Sequence, residues 1–495
     1  MVERGTGFYE IGDCHQAIAA YEQALALDDR CIDAYCGRGN ARRFLGDYDG
    51  SWADFDLVVS LAPNNGVAYI GRALATCFQQ PVSPGAIADF QQGKNLLAQP
   101  QNAIEYVMRG TAQAQLRDNI GAVSDYTIAI GLNPRLVLAY NNRGNLRQHV
   151  GDWDGAISDF SMVLEINPLS AIAYNNRAIV YAGLGHNQSA IEDYTQAIEL
   201  QPDFGGAYNN RANAYGSLGL YPEAMADYTS AIKFQPDFAV AHSNRGNIHR
   251  ISGDLPMAML DYNRAIQLDP NLTIAHYNRG ICQRQSGNHA LAIADYTQTL
   301  TLDSQYFYAY YHRGNARQYL GDKHGAIADY THTIRCDPHN CNAYYNRAII
   351  RRDLGEFQGA MEDLDRTIQI QPLLPEAYYQ RGLLLSTTGN HYLALAEYQQ
   401  AITLKPDYLD AYYQHGVCQQ VLGDNSGALA DFDRILDLDV NYAPAYYQRG
   451  KVNAQIGDLT DAIADYHHAA HLYLDVGDSQ TYQWILGIVD RLGNR

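Results

Sequence analysis

The side chains in this sequence that could do chemistry recur at a fixed interval. Arginine stands at Arg109, Arg143, Arg177, Arg211, Arg245, Arg279, Arg313, Arg347 and Arg381, each 34 residues after the last, with His415 and Arg449 in the next two slots. Arg4, Arg38 and Arg72 keep that interval upstream, with three extra residues before Arg109. An acid follows each from Arg38 onward: Asp54, Asp89, Asp125, Asp159, Asp193, Asp227, Asp261, Asp295, Asp329, Asp363, Glu397, Asp431 and Asp465. A guanidinium and a carboxylate at matched spacing are equipped to form bidentate ion pairs. Just before the arginine sits a carboxamide: Asn142, Asn176, Asn210, Asn244, Asn278 and Asn346, then Gln380, Gln414 and Gln448. An amide both donates and accepts, as a peptide group does, so a row of amides suits an extended backbone.

Chemistry of other kinds is not signalled. The sequence has no GxxxxGK[ST], no HExxH and no GxSxG. His467, His468 and His471 lie close together but without the spacing of a zinc protease, so a solvated or packing role is expected for them. The eight cysteines include no CxxC pair and read as free thiols in a reducing compartment. The chain is therefore expected to be no enzyme and to need no metal or cofactor. A net charge of −19 with 35 lysines and arginines against 54 acids disfavours nucleic acid and anionic membrane surfaces as partners. No apolar run is long enough for a membrane span, and Met1–Glu10 lacks the parts of a signal peptide, so a cytoplasmic location is expected.

Such regularity needs a repeated element to carry it. With the arginine at position 7 of each unit, position 8 is small (Gly144, Ala178, Ala212, Gly246), position 15 is mostly glycine, position 20 is alanine and position 24 is aromatic. In the unit from Val137 to Ser170, Ala156, Ile157, Phe160, Val163 and Leu164 fall on one face of a helix, not in the alternation of a strand. Gly151 can end the helix before it, Asp152 can cap its start, and Pro168 cannot continue it. Each unit thus predicts two helices of about a dozen residues, too short to be stable alone, which must stack to share a core. Fourteen units are countable, giving an all-α solenoid with one further helix over Ser479–Leu492.

The period, with Tyr140, Gly144, Ala156, Phe160 and Pro168 in one unit and their counterparts in the others, closely resembles the tetratricopeptide repeat in a long, bacterial-type array. The resemblance covers residues 1–475 and implies a right-handed superhelix closed by a C-terminal capping helix. The chain departs from the family at position 7, where leucine is usual. An ion pair between the arginine at position 7 and the acid at position 23, such as Arg143 with Asp159, is the expected reason; two independent solvated stripes are the plainer reading. Pro81, Pro84, Gly85 and Gln99-Pro100-Gln101 mark an irregular third unit with a bent junction over 79–102. The segments expected are thus 1–102, a regular array over 103–476, and the cap at 477–495. The chain also starts part-way through a first helix, which implies a trimmed start or a missing upstream piece.

Family geometry turns positions 2, 5, 6, 9, 12 and 13 of the first helices toward the concave groove. On that basis the peptide-binding candidates are the amides Asn142, Asn176, Asn210, Asn244, Asn278 and Asn346, widened by Asn145, Asn213, Asn247 and Asn315 at position 9. The strip is similar to the asparagine ladder in the repeat arm of O-GlcNAc transferase. At position 5, Asn141, Asn175 and Asn209 give way to Tyr277, Tyr311, Tyr345, Tyr379, Tyr413 and Tyr447, aromatic rings with polar tips that suit binding anchors. The plainer role for all of them is bracing neighbouring helices. A carboxylate clamp for C-terminal tails would need lysines along this wall, and they are missing. The function expected is a non-catalytic scaffold holding other proteins or extended peptides. The alternative is the partner-recruiting arm of a separately encoded enzyme or assembly complex. A single-stranded RNA binder is disfavoured by the charge, and nothing signals an oligomeric state.

Overall fold

A computed structural model describes residues 1–79 and 83–493; Pro81, part of the expected irregular junction, lies outside them. Among the described residues the chain forms 29 α-helices and no strand. They fall into two compact units, Met1–Pro270 and Asn271–Arg495. The first begins with α1 (Val2–Glu10), α2 (Cys14–Leu27), α3 (Ile32–Phe44), α4 (Tyr48–Leu61), α5 (Gly66–Gln79) and α6 (Pro84–Leu96). It continues through α7 (Ala103–Gln115), α8 (Asn119–Leu132), α9 (Val137–His149), α10 (Trp153–Ile166) and α11 (Ala171–Gly183). It ends with α12 (Asn187–Leu200), α13 (Gly205–Ser217), α14 (Tyr221–Phe234), α15 (Ala239–Ile251) and α16 (Leu255–Leu268). The second begins with α17 (Thr273–Gln285), α18 (His289–Leu302), α19 (Phe307–Tyr319), α20 (Lys323–Cys336), α21 (Cys341–Asp353) and α22 (Phe357–Ile370). It ends with α23 (Pro375–Thr387), α24 (His391–Leu404), α25 (Leu409–Val421), α26 (Asn425–Leu438), α27 (Ala443–Ile456), α28 (Leu459–Asp475) and α29 (Ser479–Gly493).

The pair α9–α10 shows how the local residues make a hairpin. Gly151 takes φ +87°, which only glycine adopts without a side-chain penalty, and so ends α9. Asp152 then accepts from the Gly155 N–H at 3.0 Å and caps α10. α10 stops two residues before Pro168. Its Ala156, Phe160 and Val163 are fully buried. Gly144 on α9 lets the Phe160 ring lie against backbone: a Cβ there would sit 3.0 Å from the ring. Position 15 of the fourth hairpin is Arg117, which adopts φ +66° without being glycine.

Within each unit each helix packs on the next, and neighbouring first helices also touch: α7 with α9, α9 with α11, α11 with α13, α13 with α15. Comparable contact links α21 with α23, α23 with α25 and α25 with α27. Among the described residues no pair of neighbouring second helices makes contact of that extent, so within each unit the first helices form the inner layer of the curve. The last helix, α29, packs Ile485 and Val489 into a cluster with Tyr466, Ala469 and Ala470 of α28.

The start of the chain has a feature of its own. Tyr9, Cys14 and Tyr21 from α1 and α2 share one buried cluster with Val107, Tyr126, Leu136 and Leu138. The turn after α1 is tied to the fifth hairpin, where Asn167 Nδ2 donates to the Ile11 carbonyl at 3.1 Å. The first hairpins therefore close on the fourth and fifth. The third hairpin lies within this closure, and its α6 starts at Pro84 with Ser83 as cap.

Candidate functional site

The arginine row has the geometry that its spacing predicts. Arg143 donates Nε to Asp159 Oδ2 at 3.0 Å and Nη2 to Oδ1 at 2.6 Å, a two-point pair across the hairpin. The same pair forms from Arg38–Asp54 and Arg72–Asp89 through Arg381–Glu397 to Arg449–Asp465. Where histidine replaces arginine, His415 Nδ1 meets Asp431 at 2.6 Å.

A second contact of the same arginine reaches backward. Nη1 of Arg143, Arg211, Arg313 and Arg347 donates to Thr127, Thr195, Thr297 and Thr331, each sixteen residues earlier in the preceding hairpin. Asp56, Asp365 and Asp433 occupy that slot for Arg72, Arg381 and Arg449. The guanidinium also lies over the tyrosine three residues before it, as in Arg143 over Tyr140 at 5.8 Å. Leucine at position 7 could pack but could not tie two hairpins together. The hydroxyls and acids at position 25 were visible in the sequence and were the signal for this link. Arg42, Arg147, Arg317 and Arg351 add a further donor to the same acids, Asp54, Asp159, Asp329 and Asp363.

This scaffold sets the amides on the inner layer. Asn210 Nδ2 donates to Asn175 Oδ1 at 3.3 Å, and Asn244 Nδ2 to Asn209 Oδ1 at 3.2 Å. The rung runs from position 6 of one hairpin to position 5 of the hairpin before it. Asn142 donates to Thr111, and Asn346 to Asn315. Asn213 accepts from Asn244 and from the Tyr228 hydroxyl, while Asn315 accepts from Tyr330. Asn247 accepts from Arg250, and Asn145 is exposed. The position-6 amides, Asn176 and Asn278 among them, are all half-buried, whereas Asn141, Asn175 and Asn209 are buried. Bracing is thus part of what these amides do.

The tyrosine row makes the same rung with a different acceptor: Gln448 Nε2 donates to the Tyr413 hydroxyl at 3.1 Å. Its rings lean on a second aromatic. Tyr277 meets Tyr306 at 4.8 Å, Tyr379 meets Tyr408 at 5.1 Å, Tyr413 meets Tyr442 at 6.2 Å and Tyr447 meets Trp484 at 5.4 Å. Tyr311 lies beside Tyr330, and Tyr345 packs on Ala348 and Leu364. All six rings are half-buried. Burial pushes the hydroxyls of Tyr345, Tyr379 and Tyr447 above the ordinary tyrosine range, so they remain donors at neutral pH. His312 interrupts the amide row between Asn278 and Asn346 and lies between Tyr277, Tyr296 and Tyr311. Burial, with Arg284 nearby, drops its pKa to about 4, so it is neutral.

Sequence profiles described as tetratricopeptide repeat match residues 2–66, 171–204, 206–238, 311–375 and 375–408, and one described as TPR repeat matches 246–283. The human tetratricopeptide repeat protein 6 is 28% identical over 142 residues, which span 28% of this chain and 26% of that protein. The chain thus matches only about a quarter of that relative's length. Among solved structures, MamA is 26% identical over 32% of this chain and 94% of its own, with a TM-score of 0.32. The APC/C hetero-tetramer Cut9–Hcn1 is 14% identical over 94% and 98%, with a TM-score of 0.44. YrrB, described as a TPR protein with an unusual peptide-binding site, is 22% identical over 38% and 97%, with a TM-score of 0.33.

Proposed function

Taking as premise that this chain belongs to the tetratricopeptide repeat family, we propose that it is a non-catalytic scaffold holding extended segments of other proteins along its first helices. The observation that carries this reading is the position-6 rung. In Asn210–Asn175 and Asn244–Asn209 one N–H and one carbonyl are used. The half-buried Asn210 donates one N–H to Asn175 and has a second, and its carbonyl, which accepts from Asn209, has a second acceptor site, whereas Asn244 divides its donors between Asn209 and Asn213. Rungs repeating along an inner face match the repeating donors and acceptors of a backbone and demand little of its sequence. Tyr345, Tyr379 and Tyr413 offer ring faces to side chains that such a segment carries. Residues 1–102 supply in this reading the N-terminal repeats, ending in an irregular third, and 477–495 the cap. A cytoplasmic location fits it, and no helix among the described residues is long and apolar enough to cross a membrane.

The test is an array of unstructured peptides probed with the full chain and with a variant carrying alanine at Asn142, Asn176, Asn210 and Asn244. Circular dichroism would confirm that the variant keeps its helices. Peptides bound by the wild type and lost by the folded variant support the amide face. Peptides bound equally by both place the contact elsewhere and overturn the assignment.

A further inference from the structure

Of the arginines on the first helices of the second unit, Arg284 alone meets no carboxylate among the described residues. Arg279, Arg313, Arg347, Arg381 and Arg449 pair with the acids at position 23. Arg317 and Arg351 add to two of those acids, and Arg352 pairs with Asp353. Arg284 is half-buried on α17, at position 12 of its hairpin. Its Nε is shut off from solvent without a hydrogen bond, whereas its two Nη groups stay accessible and are likewise unbonded. A half-buried cation without a counter-ion keeps a desolvation cost that an anion would relieve.

Arg352 holds the same position two hairpins later and shows where such a guanidinium reaches. It donates to Gln380, at position 6 of the next hairpin, and to Asp353, at position 13 of its own. The corresponding neighbours of Arg284 are His312, which stands beside it, and the uncharged Gln285. Since His312 is neutral, Arg284 carries the positive charge by itself. The faces of α17 and α19 that the repeat turns inward hold no acid. Gln285 and Tyr319 stand where Asp353 does, and Ile274 and Tyr308 where Glu376 and Asp410 do. Tyr277 and Tyr311 flank His312 with ring centroids 5.9 and 5.4 Å away, so aromatic rings rather than carboxylates wall the place.

We propose that Arg284 anchors a carboxylate side chain of the extended segment lying along the first helices, its Nη groups donating to the carboxylate oxygens. This rests on the scaffold reading above and adds that the segment is acidic where it crosses α17 and α19. One unshared positive charge matches one carboxylate; a phosphate dianion would leave charge unmatched there. The chain's own charge of −19 opposes an acidic guest at long range. At ~150 mM salt, charges beyond about 8 Å are largely screened, so the acid-free face decides.

The test uses two arrays of unstructured peptides, identical except that every glutamate in one is glutamine in the other, probed with the full chain in ~150 mM salt. The wild type should favour the glutamate members of its bound pairs by roughly tenfold. Arg284→Gln should bind both members alike. Arg335→Gln, which removes the same charge from an exposed place on α20, should keep the preference. Arg284→Gln breaks no ion pair and should melt close to the wild type, which a thermal scan checks. Pairs bound equally by the wild type overturn the carboxylate anchor and leave the scaffold reading standing. A preference that Arg284→Gln retains, or that Arg335→Gln also loses, overturns the anchor as a general effect of charge. If no peptide of either array binds, the scaffold reading fails and the anchor fails with it.

Discussion

Arg347 and Asp363 are joined by two parallel hydrogen bonds, Nε to Oδ2 at 2.9 Å and Nη2 to Oδ1 at 2.6 Å, and both residues are buried. The same guanidinium reaches back to Thr331 in the preceding hairpin at 2.8 Å. One side chain thus sets the register within a hairpin and between two hairpins. Its net contribution to stability is smaller than its contacts suggest, because desolvating both charges offsets most of their attraction.

That asymmetry yields a test. Asp363→Ala leaves a buried, unpaired guanidinium and should cost about 3–5 kcal/mol. Replacing both partners with leucine should cost less, since the buried Arg347 charge is gone and only the half-buried Arg351, which keeps Glu356, loses a carboxylate contact. Thermal melts of the two variants compare them; equal losses would mean that the pair acts by attraction rather than by avoiding a stranded charge.

Arg117 holds a left-handed backbone at φ +66°, where, among the described residues, twelve other hairpin turns and the turn before α29 use glycine. A side chain there costs about 1–2 kcal/mol, part of which glycine returns as unfolded-state entropy. Arg117→Gly should therefore raise stability by roughly 0.5–1 kcal/mol. An unchanged or lower melting temperature would show that the Arg117 side chain makes a compensating contact.

Gly382 faces the Tyr398 ring so closely that a Cβ would lie 2.6 Å from Cε1. Tyr398 is fully buried, so the ring cannot swing away. Gly382→Ala is expected to cost about 1–3 kcal/mol through overpacking. Local hydrogen exchange should rise in α23 and α24 before it rises in helices further along the unit.

His312 gives the second unit a pH dependence. Its folded pKa is near 4 against an ordinary 6.5, because burial, helped by Arg284, disfavours the charged ring. As pH falls through 6.5 the unfolded chain takes up a proton that the folded chain refuses until about 4. Stability from this residue is therefore full above 6.5 and is lost progressively down to about 4, by up to roughly 3 kcal/mol. Melts of wild type and His312→Gln across that range should diverge in slope; parallel curves would show that the ring is not held neutral.

Closure of the first hairpins rests partly on Asn167 donating to the Ile11 carbonyl. Asn167→Asp replaces the donor with a charged acceptor, so the carbonyl loses its partner and meets repulsion. Amide exchange in α1 should accelerate about tenfold, the equivalent of ~1.4 kcal/mol. If exchange in α1 is unmoved, the buried cluster of Tyr9, Tyr21 and Tyr126 holds the closure alone.

The repeat was legible because every hairpin solves the same local problem with the same residues. Gly151 and Asp152 make a turn and a cap, Ala156 and Phe160 make a face, and Arg143 with Asp159 is an arithmetic relation that spacing alone exposes. These interactions lie within one period, and repetition turns a weak local signal into a strong one. Tertiary structure decided what depends on neighbours. Whether Asn210 meets a guest or Asn175 turns on how far one hairpin rotates against the next, which no single period encodes. The bond from Asn167 to Ile11 spans 156 residues of sequence and exists only because small rotations, summed over several hairpins, bring the chain back to its own start.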